Sequence, residues 1–226
     1  PLYVEELLRA LLEAGGDRRR TWTITPTTAA ELPPALEALL VARIDRLEPG
    51  ARRFAQVAAV VGREFPVSVV ADVVGGGATD RDVAELLRAE IVRELRRFPE
   101  LECTFRHGLL QEAALSTLTP TSQRELYGRV GHAMEARLAE QGEERLEQLA
   151  FYFYRSDETR KGLDYLDRAA EHALAVEALG RAEALWTRAQ RLAERIDDHA
   201  RADAIAARLG WVRTRSSGEI PIQPEA

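Results

Sequence analysis

The chain has 226 residues, 46% apolar and 30% charged with a formal net charge of −6, proportions of a soluble globular protein that exclude a disordered or fibrous chain. Its longest uninterrupted apolar stretches, such as Val57 to Val61, fall far short of the roughly 20 residues a membrane-spanning helix needs. The single cysteine, Cys103, excludes an internal disulfide framework and predicts a reducing, cytoplasmic setting.

In chain order, Val4, Leu7, Leu8, Leu11 and Leu12 recur on one helical face with charged residues opposite, and Gly15-Gly16 ends that helix. Asp17 to Arg20 predict a polar turn, and Thr21 to Ile24 a short β-branched and aromatic strand. Pro33 and Pro34 suit the first turn of a second helix, with the stripe Leu36, Leu39, Leu40, Ile44 and Leu47 and a stop at Pro49-Gly50. Residues 1–48 are therefore read as a helical segment.

A compact cluster follows over residues 49–118. Phe54, Val57, Ala58 and Val61 line a helix that stops at Gly62, and a second helix carries Val69, Val70 and Val73 from Pro66 to Gly75. Glycines 75 to 77 break the chain, and Thr79 with Asp82 starts a third helix with Val83, Leu86 and Leu87 inward. The period then changes from 3.6 to 2: Leu101, Cys103 and Phe105 alternate with Glu102, Thr104 and Arg106, and Phe98-Pro99-Glu100 forms the turn after Ile91 to Arg97. Three short helices and one β-hairpin make the layout of a winged helix.

Residues 119–212 return to helices. Thr119 and Pro120 are N-cap and first residue of a long helix with the stripe Leu126, Val130, Met134 and Leu138, followed by helices near 143–155, 159–177 and 180–196 and a fainter one near 199–211. Leu163 to Ala169 and Glu183 to Ala189 share Arg-Ala at the same offset, the texture of a tetratricopeptide-like stack of helical hairpins. Residues 213–226 read as a tail or linker. The fold class is thus mainly α: helical segment, winged helix with one β-hairpin, then tetratricopeptide-like hairpins.

Lysine occurs once, at Lys161 between Arg160 and Gly162, so the chain holds no G-x-x-x-x-G-K-[ST] phosphate-binding loop. His107, His132, His172 and His199 are tens of residues apart and lack the spacing of metal ligands, so no metal site is expected. No serine sits in a G-x-S-x-G context and the carboxylate pairs are adjacent in sequence, which leaves no catalytic residue to name. The chain opens at Pro1 and its only methionine is Met134, which predicts a piece of a longer protein.

Four strings resemble one family. They are Pro1-Leu2-Tyr3-Val4-Glu5-Glu6-Leu7-Leu8, then Leu32-Pro33 running into Ala42-Arg43-Ile44-Asp45-Arg46-Leu47, Ala58 to Phe65, and Thr104-Phe105-Arg106-His107-Gly108-Leu109-Leu110-Gln111-Glu112-Ala113. Together and in this order they resemble bacterial STAND-type NTPases, signalling ATPases of the AAA superfamily found in multidomain adenylate or guanylate cyclases and large LuxR-type transcriptional regulators. The resemblance implies that a nucleotide-binding domain precedes this piece, which is then the lid (1–48), the winged helix and the first helical repeats. It implies that Pro1 is the proline of a Gly-x-Pro motif approaching the nucleotide and that His107 reaches the phosphates of bound ADP. ATP or ADP with Mg²⁺ would be cofactors of the parent protein and not of this chain alone.

The residues themselves leave His107 two readings. It follows a strand and opens a helix, where amide N–H groups and a cationic side chain can together hold an anion, or it simply caps and packs that junction. The third helix of the winged-helix region carries Asp80, Asp82, Glu85 and Glu90 against Arg81 and Arg88, the wrong sign for neutralising phosphates, so no direct nucleic-acid contact is expected. Phe151-Tyr152-Phe153-Tyr154 is either inter-repeat packing or a partner-binding patch. The expected function is a regulatory, non-catalytic segment of a signal-transducing STAND ATPase, cyclase-linked slightly ahead of a large LuxR-type regulator. Its expected partners are the upstream nucleotide-binding domain and a protein or small-molecule effector on the repeats. A nucleotide-independent interaction scaffold is the alternative.

Overall fold

The computed structural model of the chain describes residues 34–75, 80–141 and 145–216; the protein is mainly α-helical with one small antiparallel sheet. Pro1, the expected helix from Val4, the strand at Thr21 to Ile24 and the cap at Thr79 lie outside the described residues. Among the described residues, no helix is long and apolar enough to cross a membrane.

Helix α1 (Pro34–Asp45) buries Leu40 and Ile44. Pro49 does more than stop it: Pro49 is the first residue of α2 (Pro49–Val61), where a missing N–H costs no helical hydrogen bond. Beyond the expected stripe of Phe54, Val57, Ala58 and Val61, α2 also buries Ala51, Ala55, Ala59 and Val60, so it is apolar nearly all round and runs through the middle of its unit.

The sheet has three strands where the sequence predicts a two-stranded hairpin. β1 (Glu64–Pro66) pairs antiparallel with β3 (Glu102–Phe105), which pairs on its other edge with β2 (Val92–Arg96), giving the order β1-β3-β2. A three-residue strand ended by a proline is too short to register as a period of 2, which is why β1 reads as a link between helices. The central position of β3 has a consequence: Thr104 is buried along with Cys103 and Phe105, contrary to the alternation of exposed and buried residues in the sequence pattern. Its hydroxyl donates to the carbonyl of Phe105 at 3.3 Å, so no polar atom is stranded. Phe65 on β1 packs between Phe54 and Phe105, with ring centroids 6.5 and 5.6 Å away.

With α3 (Val67–Val74) and α4 (Asp80–Arg88) between β1 and β2, the order helix, strand, helix, helix, strand, strand is that of a winged helix. α5 (Gly108–Ser116) follows β3 and packs on α1 and α2. α6 (Pro120–Gln141) starts as expected, with the Ser122 amide donating to the Thr119 hydroxyl at 3.2 Å, and buries Leu126, Val130 and Met134. It rests on α2 and α3 on one side and on α7 (Leu146–Arg155) on the other.

From α7 the chain stacks helical hairpins: α8 (Thr159–Ala175), α9 (Leu179–Arg195) and α10 (His199–Ser216), each packed on the one before. The links after α8 and α9 are alike. Glu177 and Asp197 both take φ 58°, and the residue after each donates its amide back to Ala173 and Ala193, at 2.9 and 3.0 Å. α8, α9 and α10 start 20 residues apart, so a helix pair spans more than the roughly 34 residues of a tetratricopeptide unit. α10 is longer than the sequence suggests: it runs to Ser216, into the stretch expected as tail, because Ala202, Ile205, Leu209 and Val212 form a buried stripe against α9. Buried apolar residues from Leu40 to Val212 form one contiguous cluster, so the winged helix and the hairpin stack share a core.

Candidate functional site

β3 delivers its exit to a fixed place. The Phe105 amide donates to the Arg63 carbonyl at 2.9 Å, and the Arg106 amide to the Ile91 carbonyl at 3.0 Å. The Arg106 guanidinium reaches Glu90 at 3.0 Å. His107 comes next, extended at φ −139° and ψ 144°, and immediately precedes α5. Its carbonyl accepts from the Leu110 amide at 3.0 Å, so it is the N-cap residue, but its side chain makes no capping bond to the helix amides. No acidic residue stands in the first turn of α5 either. A half-buried imidazole beside uncapped helix amides is chemically suited to a phosphate or carboxylate, since a ring N–H can donate to it and the helix N-terminus favours negative charge. Pro1, the other residue assigned to the nucleotide, lies outside the described residues, so the structure does not bring the two together.

Beside this junction a cleft of about 230 Å³ separates α1 from α4, lined by Arg43, Arg46, Leu47, Glu85, Ala89 and Ile91. Arg43 holds the C-terminal end of the α4 turn by donating to the Ala89 carbonyl at 3.1 Å. His107 is adjacent in the chain to the residue bonded to Ile91 but is not among the residues lining the cleft.

The acidic face of α4 has a structural use. Glu85 accepts from the Glu48 amide at 2.8 Å, just before α2 begins. Asp82 stands so close to Gly50 that a Cβ there would lie 2.5 Å from its Oδ1. Two carboxylates thus neutralise the positive end of the α2 dipole. Asp82 and Glu85 of the helix that would enter a DNA groove thus contact the start of α2.

No protein-family model, curated protein or solved structure matches this chain.

Elsewhere the structure assembles groups that the sequence leaves scattered. His132 on α6 contacts Glu158 through Nε2 at 2.7 Å and Glu135 through Nδ1 at 3.4 Å. Lys161 on α8 donates to Glu135 at 2.6 Å and the Tyr165 hydroxyl donates to it at 2.5 Å, while the Lys161 ammonium sits 4.6 Å from the centre of the Phe153 ring. Burial alone would push the Glu135 carboxyl up, yet the Lys161 and Tyr165 hydrogen bonds, with the Lys161 and His132 charges, hold it below its usual value. The same site pushes the Tyr165 phenol up to about 12, first through burial and then through Glu135. Among the described residues no cluster of His, Cys, Asp and Glu could hold a metal ion. Cys103 is buried, and burial pushes its thiol up to about 11, which disfavours the thiolate.

The aromatic run divides. Tyr152 and Phe153 are buried, whereas Phe151 is 43% exposed and Tyr154 half-buried. The exposed pair faces a second cleft, of about 300 Å³, between α7 and α9. Packing brings Arg155 of α7 to the same cleft as Arg188 and Arg191 of α9.

Proposed function

We propose that this chain is the regulatory, non-catalytic segment of a cytoplasmic, signal-transducing STAND-type ATPase, coupling the nucleotide state of an upstream domain to a sensor built on helical repeats. The observation that carries the reading is the shared core. A winged helix whose β3–α5 junction presents His107 is packed through α6 onto the hairpin stack, a contiguous packed route that supports coupling between the two ends. The four strings that resemble the family supply the nucleotide side of the argument; the geometry supplies the linkage.

In this reading bound ADP supplies a polyanion to the junction. His107 donates to a phosphate oxygen, the α5 amides add partial positive charge, and Pro1 closes over the nucleotide. A charge-assisted hydrogen bond of this kind contributes about 1.5–3 kcal/mol, comparable to the roughly 1–3 kcal/mol by which allosteric sites are usually coupled. Effector binding to the repeats then favours the open arrangement, and an output domain elsewhere in the parent, a cyclase slightly ahead of a DNA-binding regulator, reads the change. The carboxylates of α4, engaged with the start of α2, support a winged helix used for internal docking and not for DNA.

The test is His107→Ala in the parent protein. ADP retention should fall about tenfold or more, with raised basal output. Unchanged ADP affinity together with unchanged output overturns the proposal. A strand followed by a phosphate-binding loop upstream of Pro1 is a second requirement, and its absence favours the scaffold reading.

A further inference from the structure

The cleft between α7 and α9 has a floor of Ala150, Leu166 and Leu185, all buried, and a wall formed by the exposed ring of Phe151. Its rim is basic. Arg188 and Arg191 lie one helical turn apart on α9, Arg195 follows one turn later over the Tyr154 ring at 5.6 Å, and Arg155 leans over Phe151 at 4.7 Å.

Several neighbouring arginines of α9 and α10 are paired: Arg181, Arg201, Arg208 and Arg213, with Glu147, Asp164, Asp167 and Glu183. Arg155, Arg188, Arg191 and Arg195 have no carboxylate partner among the described residues, in a chain where acidic residues outnumber basic ones by 37 to 31. The one carboxylate lining the cleft, Glu147, is engaged by Arg181. Arg155, Arg188 and Arg191 line the cleft and Arg195 lies one turn beyond, a concentration of positive charge that complements an anionic ligand.

We propose that this cleft is a docking site for an acidic peptide segment that carries a large apolar side chain. The apolar side chain enters the floor against Phe151, and flanking Asp or Glu carboxylates are forked by Arg188, Arg191 and Arg155, the geometry in which guanidinium binds best. The apolar floor argues against a simple inorganic anion, and the confinement of the charge to one cleft argues against a nucleic-acid backbone, which needs a continuous basic track. This inference does not depend on the nucleotide-linked reading.

The test uses the whole chain and a fluorescein-labelled peptide in which Leu-Phe is flanked on each side by Glu-Asp, followed by fluorescence anisotropy. Saturable binding that weakens with added salt is expected. The double variant Arg188→Glu with Arg191→Glu should lose affinity by about tenfold or more, and Phe151→Ala by a smaller factor, with circular dichroism unchanged. Arg93→Glu with Arg160→Glu, an equal charge change at exposed positions on β2 and α8, should bind as the unaltered chain does. Absence of saturable binding overturns the proposal. So does an equal loss in the Arg93→Glu, Arg160→Glu variant, or tighter, variant-sensitive binding of a single-stranded oligonucleotide.

Discussion

The phenol of Tyr152 on α7 donates a hydrogen bond to the carbonyl oxygen of Val61, the last residue of α2, at 2.6 Å across 91 residues of sequence. Both residues are buried, Tyr152 at 1% exposure and Val61 at 6%. It ties the central helix of the winged-helix unit to the first hairpin of the stack. Arg137 of α6 adds a more exposed tie to α3, reaching Asp72 at 2.6 Å and Ser68 at 2.9 Å.

Tyr152→Phe leaves the Val61 carbonyl without its buried donor, and should cost about 1–3 kcal/mol in urea unfolding at neutral pH. Burial also pushes the Tyr152 phenol from 10.0 up to about 12. A neutral acid whose folded pKa is raised stabilises fully below its unfolded value and loses that contribution as pH rises through the folded one. Stability should therefore fall between about pH 10 and pH 12, and less steeply in Tyr152→Phe, with Tyr165 and the buried Cys103 thiol contributing to the remaining slope. An identical alkaline slope in both proteins would contradict the assignment.

Lys161→Met keeps the apolar stem over Phe153 but removes the charge from Glu135. Both partners are about one-third exposed, so the loss at neutral pH should be about 1 kcal/mol. Because the Glu135 carboxyl is held below its usual 4.5, its contribution is present above that value and is lost as pH falls through the folded pKa. The gap in urea midpoint between the two proteins should thus narrow from pH 7 to pH 3. A gap independent of pH would assign the effect to packing alone.

Two helix glycines should respond oppositely to alanine. At Gly162 a Cβ would lie 2.9 Å from the backbone carbon of Phe153, so Gly162→Ala must push α8 away from α7 and should destabilise by about 1–3 kcal/mol. At Gly180 a Cβ meets nothing within 4 Å, and Gly180→Ala should stabilise α9 by about 0.5–1 kcal/mol. Thermal unfolding of the pair reads both signs in one experiment.

Much of the fold is legible in the sequence because helical faces are local information. The stripe of Leu126, Val130 and Met134, the cap at Thr119 and the switch to a period of 2 at Cys103 and Phe105 each lie within a few residues, and the structure contains them. β1 was not legible, since three residues carry no period, nor was the burial of Thr104, which follows from β3 acquiring a neighbour on each edge. At the candidate site the chain position of His107, between a strand and a helix, was readable; its lack of a capping bond was not.

The amino-acid sequence by itself determined a mainly helical chain and, through a single lysine at Lys161, that these 226 residues carry no G-x-x-x-x-G-K-[ST] phosphate-binding loop. Tertiary structure alone decided that Tyr152 meets Val61, that the acids of α4 hold the start of α2, and that Arg155 faces Arg188 and Arg191 across an apolar floor. The reason is physical: hydrophobic periodicity reports which side of a helix seeks burial, while the partner it finds depends on how all the buried faces close on one another.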